Sequence, residues 1–335
     1  MTVRISVIVP TYRRPDLLGR CLAALLEQDL DPWDYEIVVA DDAISHVTRR
    51  EVERAAERTR LVALAAGGSA SWVEEPAAPR VRYLPVVGAH GPAAARNAGW
   101  RAADGEIIAF TDDDCLPDPG WLRAGLAAMA PGVAAACGRV VVPLPPDPTD
   151  YERDVAGLEV GEFVTANCFV RRSALAAVGG FDERFSAAWR EDSDLQFALL
   201  SRGERVARAE AAVVTHPARP AGWGVSLRQQ RKSLFNALLY KKHPALYRAR
   251  IQPAPPWHYY AAVGALAGLF GLPRWRWLFG GLWALLTGRF AAQRLRGTSR
   301  APAHVAEMIV TSAAIPPLAV FWRLRGAAKF RVWFL

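Results

Sequence analysis

Cysteine is scarce in this chain, and its pattern is unpaired. Cys21, Cys115, Cys137 and Cys168 are widely separated, with no two at zinc-ligand spacing. That distribution argues against a disulfide scaffold or a structural zinc site and fits reduced, buried thiols of a cytosolic protein. No signal peptide is expected either, because Met1-Thr2-Val3-Arg4 runs straight into the strand-like Ile5-Ser6-Val7-Ile8-Val9. Acid is missing from one end. The net charge is +8 over 335 residues, yet residues 223–335 hold 17 Lys and Arg against one acid, Glu307, while residues 1–222 hold 24 against 32. Such asymmetry points to an anionic partner for the basic part.

Also missing is an unbroken apolar run of about 20 residues, the length a membrane-spanning helix requires. Tyr259–Leu272 stops at Pro273-Arg274-Trp275-Arg276, Trp277–Gly288 is short, and Met308–Trp322 contains Pro316-Pro317. Seven of the twelve tryptophans lie in residues 223–335, and indoles and arginines at the breaks suit the headgroup level of a bilayer. Arg323, Arg325, Lys329 and Arg331 around Trp333-Phe334 repeat the combination. We expect residues 223–335 to be a basic, helical region docked monotopically on an anionic membrane surface at its cytoplasmic face. A bent hairpin spanning the bilayer and an oligomerisation surface are the alternatives. Nucleic acid is not an expected partner, since it would call for polar stacking surfaces without this apolar mass.

What the chain does contain, over residues 1–222, is alternation. Strand-like Ile5–Val9 precedes a helix opening at Pro15, with Leu18, Cys21, Leu22, Leu25 and Leu26 at helical spacing. Strand Tyr35–Ala40, a helix from Thr48 to Ala65, a Gly/Ser/Pro-rich loop over Gly67–Pro79, strand Val81–Leu84, helix Ala93–Arg101 and strand Glu106–Thr111 follow. Such a succession predicts an α/β fold with a mostly parallel twisted sheet flanked by helices.

Asp112-Asp113-Asp114 directly follow the buried-strand run Ile107-Ile108-Ala109-Phe110. The carboxylates therefore emerge at the C-terminal edge of a sheet, where open α/β folds bind ligands. Like charges held together call for a cation, and hard oxygen ligands select Mg²⁺ or Mn²⁺ shared with substrate phosphates. A turn polarised by acids is the plainer reading of the same residues. Asp41-Asp42 end a second strand, and Pro10-Thr11-Tyr12-Arg13-Arg14 end a third. Between the clusters, Gly91 through Gly99 supplies small residues that let a backbone approach a ligand, with Arg96 placed to reach a phosphate or to form a salt bridge. The edge reads as a site for a nucleotide diphosphate and a metal.

Ser6-Val7-Ile8-Val9-Pro10-Thr11-Tyr12, Val39-Ala40-Asp41-Asp42, Ala95-Arg96-Asn97-Ala98-Gly99, Phe110-Thr111-Asp112-Asp113-Asp114, Gly179-Gly180-Phe181-Asp182-Glu183 and Glu191-Asp192-Ser193-Asp194-Leu195 occur in that order. Together they resemble the family 2 glycosyltransferases over about the first two-thirds of the chain. The resemblance implies a GT-A fold for residues 1–222 and inversion at the anomeric carbon. It implies a nucleotide-sugar donor, with a UDP-sugar expected, held by Pro10, Thr11, Tyr12, Arg14, Arg96, Asn97, Asp112 and Asp113, and by Asp41 or Asp42 at the base. It places Asp112 and Asp114 as the outer members of an Asp-x-Asp motif holding ribose and Mn²⁺ or Mg²⁺. His216 matches a further metal contact, Asp192 the catalytic base and Glu191 its support. The chain departs from the family where Ala43-Ile44-Ser45, in place of Gly-Ser, follows Asp41-Asp42. Gln229-Gln230-Arg231-Lys232 lacks the Trp of the processive members, so a polymerising synthase is not expected.

Such chemistry needs a stabilised leaving diphosphate and an acceptor hydroxyl activated by a carboxylate. The expected acceptor is lipid-linked or a glycan. A polyprenyl-phosphate sugar synthase, a nucleotidyltransferase and a non-catalytic nucleotide-binding scaffold are the competing readings. Asp192 also stands where a helix N-cap is expected, before Leu195–Leu200, and Ser173 reads as the cap of the helix after it. Trp121 and Trp189 are candidates for a cleft wall, with core packing the commoner fate of tryptophan.

Overall fold

The computed structural model describes residues 3–65 and 79–334. The loop expected over Gly67–Pro79 thus lies, except for Pro79, outside the described residues. Two compact units emerge, Met1–Pro143 with Leu158–Pro217, and Leu144–Gly157 with Ala218–Leu335. The boundary expected after residue 222 therefore falls at Pro217, and Leu144–Gly157 joins the C-terminal residues. The physical reason is an ion pair: Asp150 Oδ2 accepts from Arg294 Nη2 at 2.6 Å, both within the second unit.

The first unit is built on eight strands: β1 (Ile5–Thr11), β2 (Tyr35–Asp41), β3 (Arg80–Pro85), β4 (Ile107–Phe110), β5 (Leu116–Pro117), β6 (Val133–Val141), β7 (Cys168–Arg171) and β8 (Arg205–Thr215). They form one sheet in the order β3-β2-β1-β4-β7-β6-β8-β5. β1 pairs in parallel with β2 and β4, β2 with β3, and β6 with β8, whereas β7 runs antiparallel to both β4 and β6. The strands β1, β2 and β4 are buried along almost their whole length, as expected of a sheet covered on both faces. Covering them are α1 (Pro15–Leu26), α2 (His46–Ala65), α3 (Pro92–Ala102) and α4 (Trp121–Ala128). α1 presents Leu18, Cys21, Leu22 and Leu25 to the core, as its spacing predicts. α3 lies close on β1 because residue 99 is glycine; a Cβ there would collide with Ile8 Cγ2.

α5 (Asp150–Ala156) belongs to the second unit, while α6 (Arg172–Val178) and α7 (Glu191–Ser201) belong to the first. α6 begins after Arg171 and α7 after Arg190, so Ser173 and Asp192 both lie inside their first turns and neither is the cap. Arg190 takes a left-handed conformation, φ 76°, which turns the chain sharply into α7. Trp121 is fully buried against Phe169 and donates to Asn167 Oδ1 at 2.8 Å. It is a core residue, not a cleft wall.

The second unit continues with α8 (Val225–Gln229), α9 (Phe235–Lys242), α10 (Pro244–Arg250), α11 (Trp257–Gly271), α12 (Arg276–Arg294) and α13 (Pro302–Phe330). The single basic helix expected from Ser226 to Lys242 is interrupted by a 3-10 turn over Gln230–Leu234. The apolar run expected to break at Pro316-Pro317 does not break: α13 is one helix of 29 residues. Proline removes a backbone donor, but Ile315, Pro316, Ala319 and Val320 are buried, and that packing holds the helix through both prolines. α13 is, by length and composition, the one helix among the described residues capable of crossing a membrane.

Candidate active site

The strand ends meet at the sheet edge in register. Thr11 pairs with Asp41 and Asp41 with Pro85, while Ile8 pairs with Phe110, the residue two before Asp112. Both strand-end acidic clusters, Asp41-Asp42 and Asp112-Asp113-Asp114, are therefore presented on one edge, because parallel strands bring their C-termini to one side.

Asp113 faces back to the first strand. Its Oδ2 accepts from Thr11 Oγ1 at 2.8 Å and its Oδ1 from Arg14 Nη1 at 3.1 Å, and it is 2% exposed. Burial raises its carboxyl above the ordinary range, with Arg14 and Thr11 acting in opposition. Thr11, Arg14 and Asp113 thus bind one another and fix the loop after β1. Tyr12, half exposed, extends from that loop with Arg13 over its ring. Pro10 sits just before, within β1.

Asp112 faces the other way. Arg96 Nη2 reaches its Oδ1 at 2.8 Å, and Arg96 Nη1 reaches Glu191 Oε1 at 3.1 Å. Burial works against the charge of Asp112, but Arg96 outweighs it and holds the carboxyl low. Arg96, buried, is likewise opposed by its surroundings and kept protonated by Asp112 and Glu191. Its Nε and Glu191 Oε2 are buried with no partner among the described residues. Glu191 is pushed up to about 7 by burial, with the charge of Asp192 adding to the rise. Asp192, also raised by burial, accepts from the Ser193 backbone N–H at 2.6 Å. One arginine thereby links Asp112 of the sheet edge to the acidic start of α7.

Asp114 and His216 lie together, His216 Nε2 standing 3.5 Å from Asp114 Oδ1. With Cys115 they form the one group among the described residues whose ligand atoms lie within 4.8 Å of one another. His216 Nδ1 is buried without a partner. A carboxylate oxygen beside an imidazole nitrogen fits a divalent ion that takes mixed oxygen and nitrogen ligands, so the residues present suit the expected divalent cation.

Two expected donor contacts are placed otherwise. Asn97 is 1% exposed. Its amide donates to Phe181 O and to Glu183 Oε1, both at 2.8 Å, and its Oδ1 accepts from the Phe181 N–H and Trp100 Nε1, both at 2.9 Å. It pins the Gly179-Gly180-Phe181 turn and has no face left for a nucleotide. Asp41, fully buried, accepts from the Ala43 and Ser45 N–H groups at 2.9 and 2.7 Å and from Tyr83 Oη at 3.0 Å. Asp42 is the less buried of the two: its Oδ1 lies 2.7 Å from His90 Nδ1, and its Oδ2 accepts from the Gly91 N–H. Sequence reading missed His90 and Tyr83; a histidine just before the Gly91 turn was the only local signal. Gly91, φ 107°, is required because a Cβ would lie 2.9 Å from Ser186 O, where the chain before α7 passes close.

A chain of the archaeon Haloferax volcanii, Glycosyltransferase AglE, is 27% identical over 228 residues, 65% of this chain and 68% of its own length. Validoxylamine A glucosyltransferase of Streptomyces hygroscopicus subsp. limoneus is 28% identical over 59% of this chain, which spans only 48% of that relative. Among solved structures, the mannosyltransferase PcManGT from Pyrobaculum calidifontis, in complex with GDP-Man and Mn²⁺, superposes with a TM-score of 0.56 at 21% identity over 98% of this chain and 88% of that one. Staphylococcus aureus TarS does so with 0.52 at 15% identity, over 98% and 54%. These likenesses show the GT-A-like fold. The model described as "Glycosyl transferase family group 2" matches residues 107–324, and the one described as "Glycosyl transferase family 2" matches residues 6–179, just over half the chain; the strand-end carboxylates thus sit within the matched segment, and the chain belongs to glycosyl transferase family 2.

Proposed function

We propose that this chain is a divalent-metal-dependent, inverting glycosyltransferase that moves a sugar from a nucleoside-diphosphate donor, a UDP-sugar first among the candidates, to a hydroxyl of a lipid-linked acceptor at the cytoplasmic membrane face. The observation that carries the proposal is Arg96, which joins Asp112 of the sheet edge to Glu191 at the start of α7. A site for binding a nucleotide alone has no need of that second acidic pair.

In this reading Tyr12 and Asp42 receive the base, Asp112 the ribose, and Asp114 with His216 would hold the metal. When bound, the ion would neutralise charge on the departing diphosphate. Asp192, placed on the first turn of α7, accepts the proton of the acceptor hydroxyl as it attacks the anomeric carbon. Glu191, held by Arg96, fixes that turn. Attack from the face opposite the leaving group inverts the anomeric centre with no covalent enzyme intermediate.

The membrane part of the proposal is supported within the second unit alone. The α11–α12 turn exposes Phe270 (79%) and Trp277 (81%) with Leu272, Trp275 and Leu278, and Arg274 and Arg276 stand among them. Exposed aromatic and aliphatic side chains interleaved with arginine match an interfacial dock.

Nucleoside-diphosphate release from a panel of nucleotide sugars tests the reading, using full-length protein on anionic vesicles with Mn²⁺. Release from one donor, abolished by chelation and by Asp114→Asn, is the expected result. Metal-dependent nucleotide binding without release or transfer to any acceptor would favour the scaffold reading. Transfer of the nucleotide instead of the sugar would make the protein a nucleotidyltransferase.

A further inference from the structure

The second unit contains 113 residues of C-terminal chain with a single acid, Glu307, and that acid lines a cavity. The cavity has a volume of about 240 Å³, and Asp150, Glu152, Arg219, Arg294, His304 and Glu307 are among the residues that enclose it. Three of the five carboxylates of the second unit border this one space.

Each carboxylate uses one oxygen to hold the fold. Asp150 Oδ2 accepts from Arg294 at 2.6 Å; Glu152 Oε2 accepts from the Thr149 N–H at 2.7 Å; Glu307 Oε1 accepts from the Gly224 N–H at 2.7 Å. Among the described residues no hydrogen bond reaches the other oxygen of any of the three, and none of those oxygens is buried without a partner. They remain open to a ligand. His304 is 8% exposed, and its Nε2 is a buried nitrogen with no partner. Half-buried Tyr151 and buried Met308 add apolar wall.

Charge and geometry narrow the occupant. A phosphate or carboxylate would face three carboxylates, while Arg294 is already engaged by Asp150, Thr311 Oγ1, Ser312 Oγ and Ser226 Oγ. A metal ion would need converging ligand atoms, and among the described residues the only such group is Asp114, Cys115 and His216, in the other unit. An organic cation would meet Arg219, Arg294 and His304. A neutral ligand rich in hydroxyls meets none of these objections, since carboxylate oxygens accept from hydroxyl groups and the unpartnered imidazole nitrogen of His304 can donate to or accept from one. The volume lies just under that of sites for drug-sized ligands, which suits a single ring.

We propose that this cavity is a carbohydrate-binding subsite that holds one sugar ring of the acceptor or product glycan, separate from the donor site of the first unit. The binding stands on the cavity alone; its role as an acceptor subsite rests on the glycosyltransferase reading above.

Saturation-transfer NMR on the full-length protein tests it, with the methyl glycosides of glucose, galactose, mannose and N-acetylglucosamine as probes. UDP with Mn²⁺ is present to occupy the donor site. We expect transfer to ring protons of at least one glycoside in the wild type and in Asp114→Asn, cut severalfold or more in Glu307→Gln and in His304→Gln with unchanged circular dichroism. Glu307→Gln keeps an oxygen for the Gly224 N–H, and His304→Gln covers the case in which the first variant fails to fold. No transfer from any of the four glycosides would overturn the proposal, as would transfer that survives both cavity variants. Displacement by inorganic phosphate would overturn it in favour of an anion site. Loss in Asp114→Asn alone would mean the signal came from the donor site. Nucleoside-diphosphate release, measured on the same samples, reports separately on whether the chain turns over a donor.

Discussion

Arg96 Nη2 stands 2.8 Å from Asp112 Oδ1, and the same guanidinium, through Nη1, holds Glu191 at 3.1 Å. A flat fork of donors can span two carboxylates on different elements, whereas an ammonium point charge cannot reach both in the same geometry. Arg96→Met leaves two acids without their counter-charge, one of them Glu191 at 4% exposure. We expect a loss of about 3–5 kcal/mol in unfolding free energy, read by urea denaturation. Arg96→Lys folds better but lets the first turn of α7 drift, and donor turnover falls by about 10²-fold, the scale of a catalytic group misplaced by about an ångström. Full activity in Arg96→Lys would show that the bridge does not position the site.

Glu191 titrates near 7 in the folded chain against 4.5 as its ordinary value, because burial disfavours its charge. Between those two values the folded state keeps a proton that the unfolded state has released. The contribution to stability is therefore fully present below about pH 4.5 and is lost as pH rises through about 7. Replacing Glu191 by Gln should remove that slope, seen as a smaller difference between urea midpoints at pH 5 and pH 7.5 than in the wild type. In the rate, the acid limb of nucleotide release should fall near 7 and disappear from that position in Glu191→Gln. A limb that stays in place belongs to some other group.

Asp192 accepts the acceptor proton in the proposed reaction, and its hydrogen bonds among the described residues go to Ser193. Asp192→Asn keeps the shape and removes the basicity. Sugar transfer should fall by about 10²–10⁴-fold, the range for loss of a general base, while nucleotide-sugar affinity measured by calorimetry stays at the wild-type value. Transfer that survives would point to a phosphate acceptor, which needs no base, and so to a polyprenyl-phosphate sugar synthase.

The sheet and its acidic edge were legible because they rest on local rules. An apolar run ending in aspartates, repeated on two strands of a parallel sheet, puts those aspartates together whatever the packing. What the sequence did not reveal depends on contacts between distant residues. Nothing local tells Asp41 from Asp42; the difference comes from Tyr83, some forty residues on, which covers the first and leaves the second beside His90. Nothing local shows that Asp113 turns back to Thr11. Leu144–Gly157 reads as part of the first domain until Arg294 is seen to hold Asp150. Pro316-Pro317 breaks an isolated helix on propensity alone, but buried neighbours hold α13 through it.

Asn97 separates a motif position from a ligand contact. All four of its hydrogen bonds are internal, to Phe181, Glu183 and Trp100. Asn97→Ala strands buried backbone groups of the Phe181 turn, each worth about 1–3 kcal/mol when left unpaired. The variant should melt well below the wild type. At temperatures where it remains folded, its KM for the donor should be unchanged. A raised donor KM with an unaltered melting temperature would reverse the assignment and make Asn97 a ligand.

The α11–α12 turn offers the sharpest test of membrane attachment, because its exposed side chains have no structural task within the second unit. Trp277 is 81% exposed and Phe270 79%, so replacing both with Ser leaves the fold intact while removing apolar area that a bilayer would take up. Burying one large aromatic or aliphatic side chain is worth about 1.5–3 kcal/mol; the double variant should therefore bind vesicles at least tenfold more weakly in co-sedimentation. Salt supplies an independent control. The charge of Arg274, Arg276 and the C-terminal basic cluster attracts anionic lipid, and raising ionic strength shortens the reach of that attraction to within a few ångströms. Binding that weakens with salt on anionic vesicles and weakens further in the double variant requires both forces, as an interfacial dock does. Binding insensitive to the Ser replacements but dependent on α13 would mean instead that the chain is held by the one helix among the described residues that is long and apolar enough to cross the bilayer.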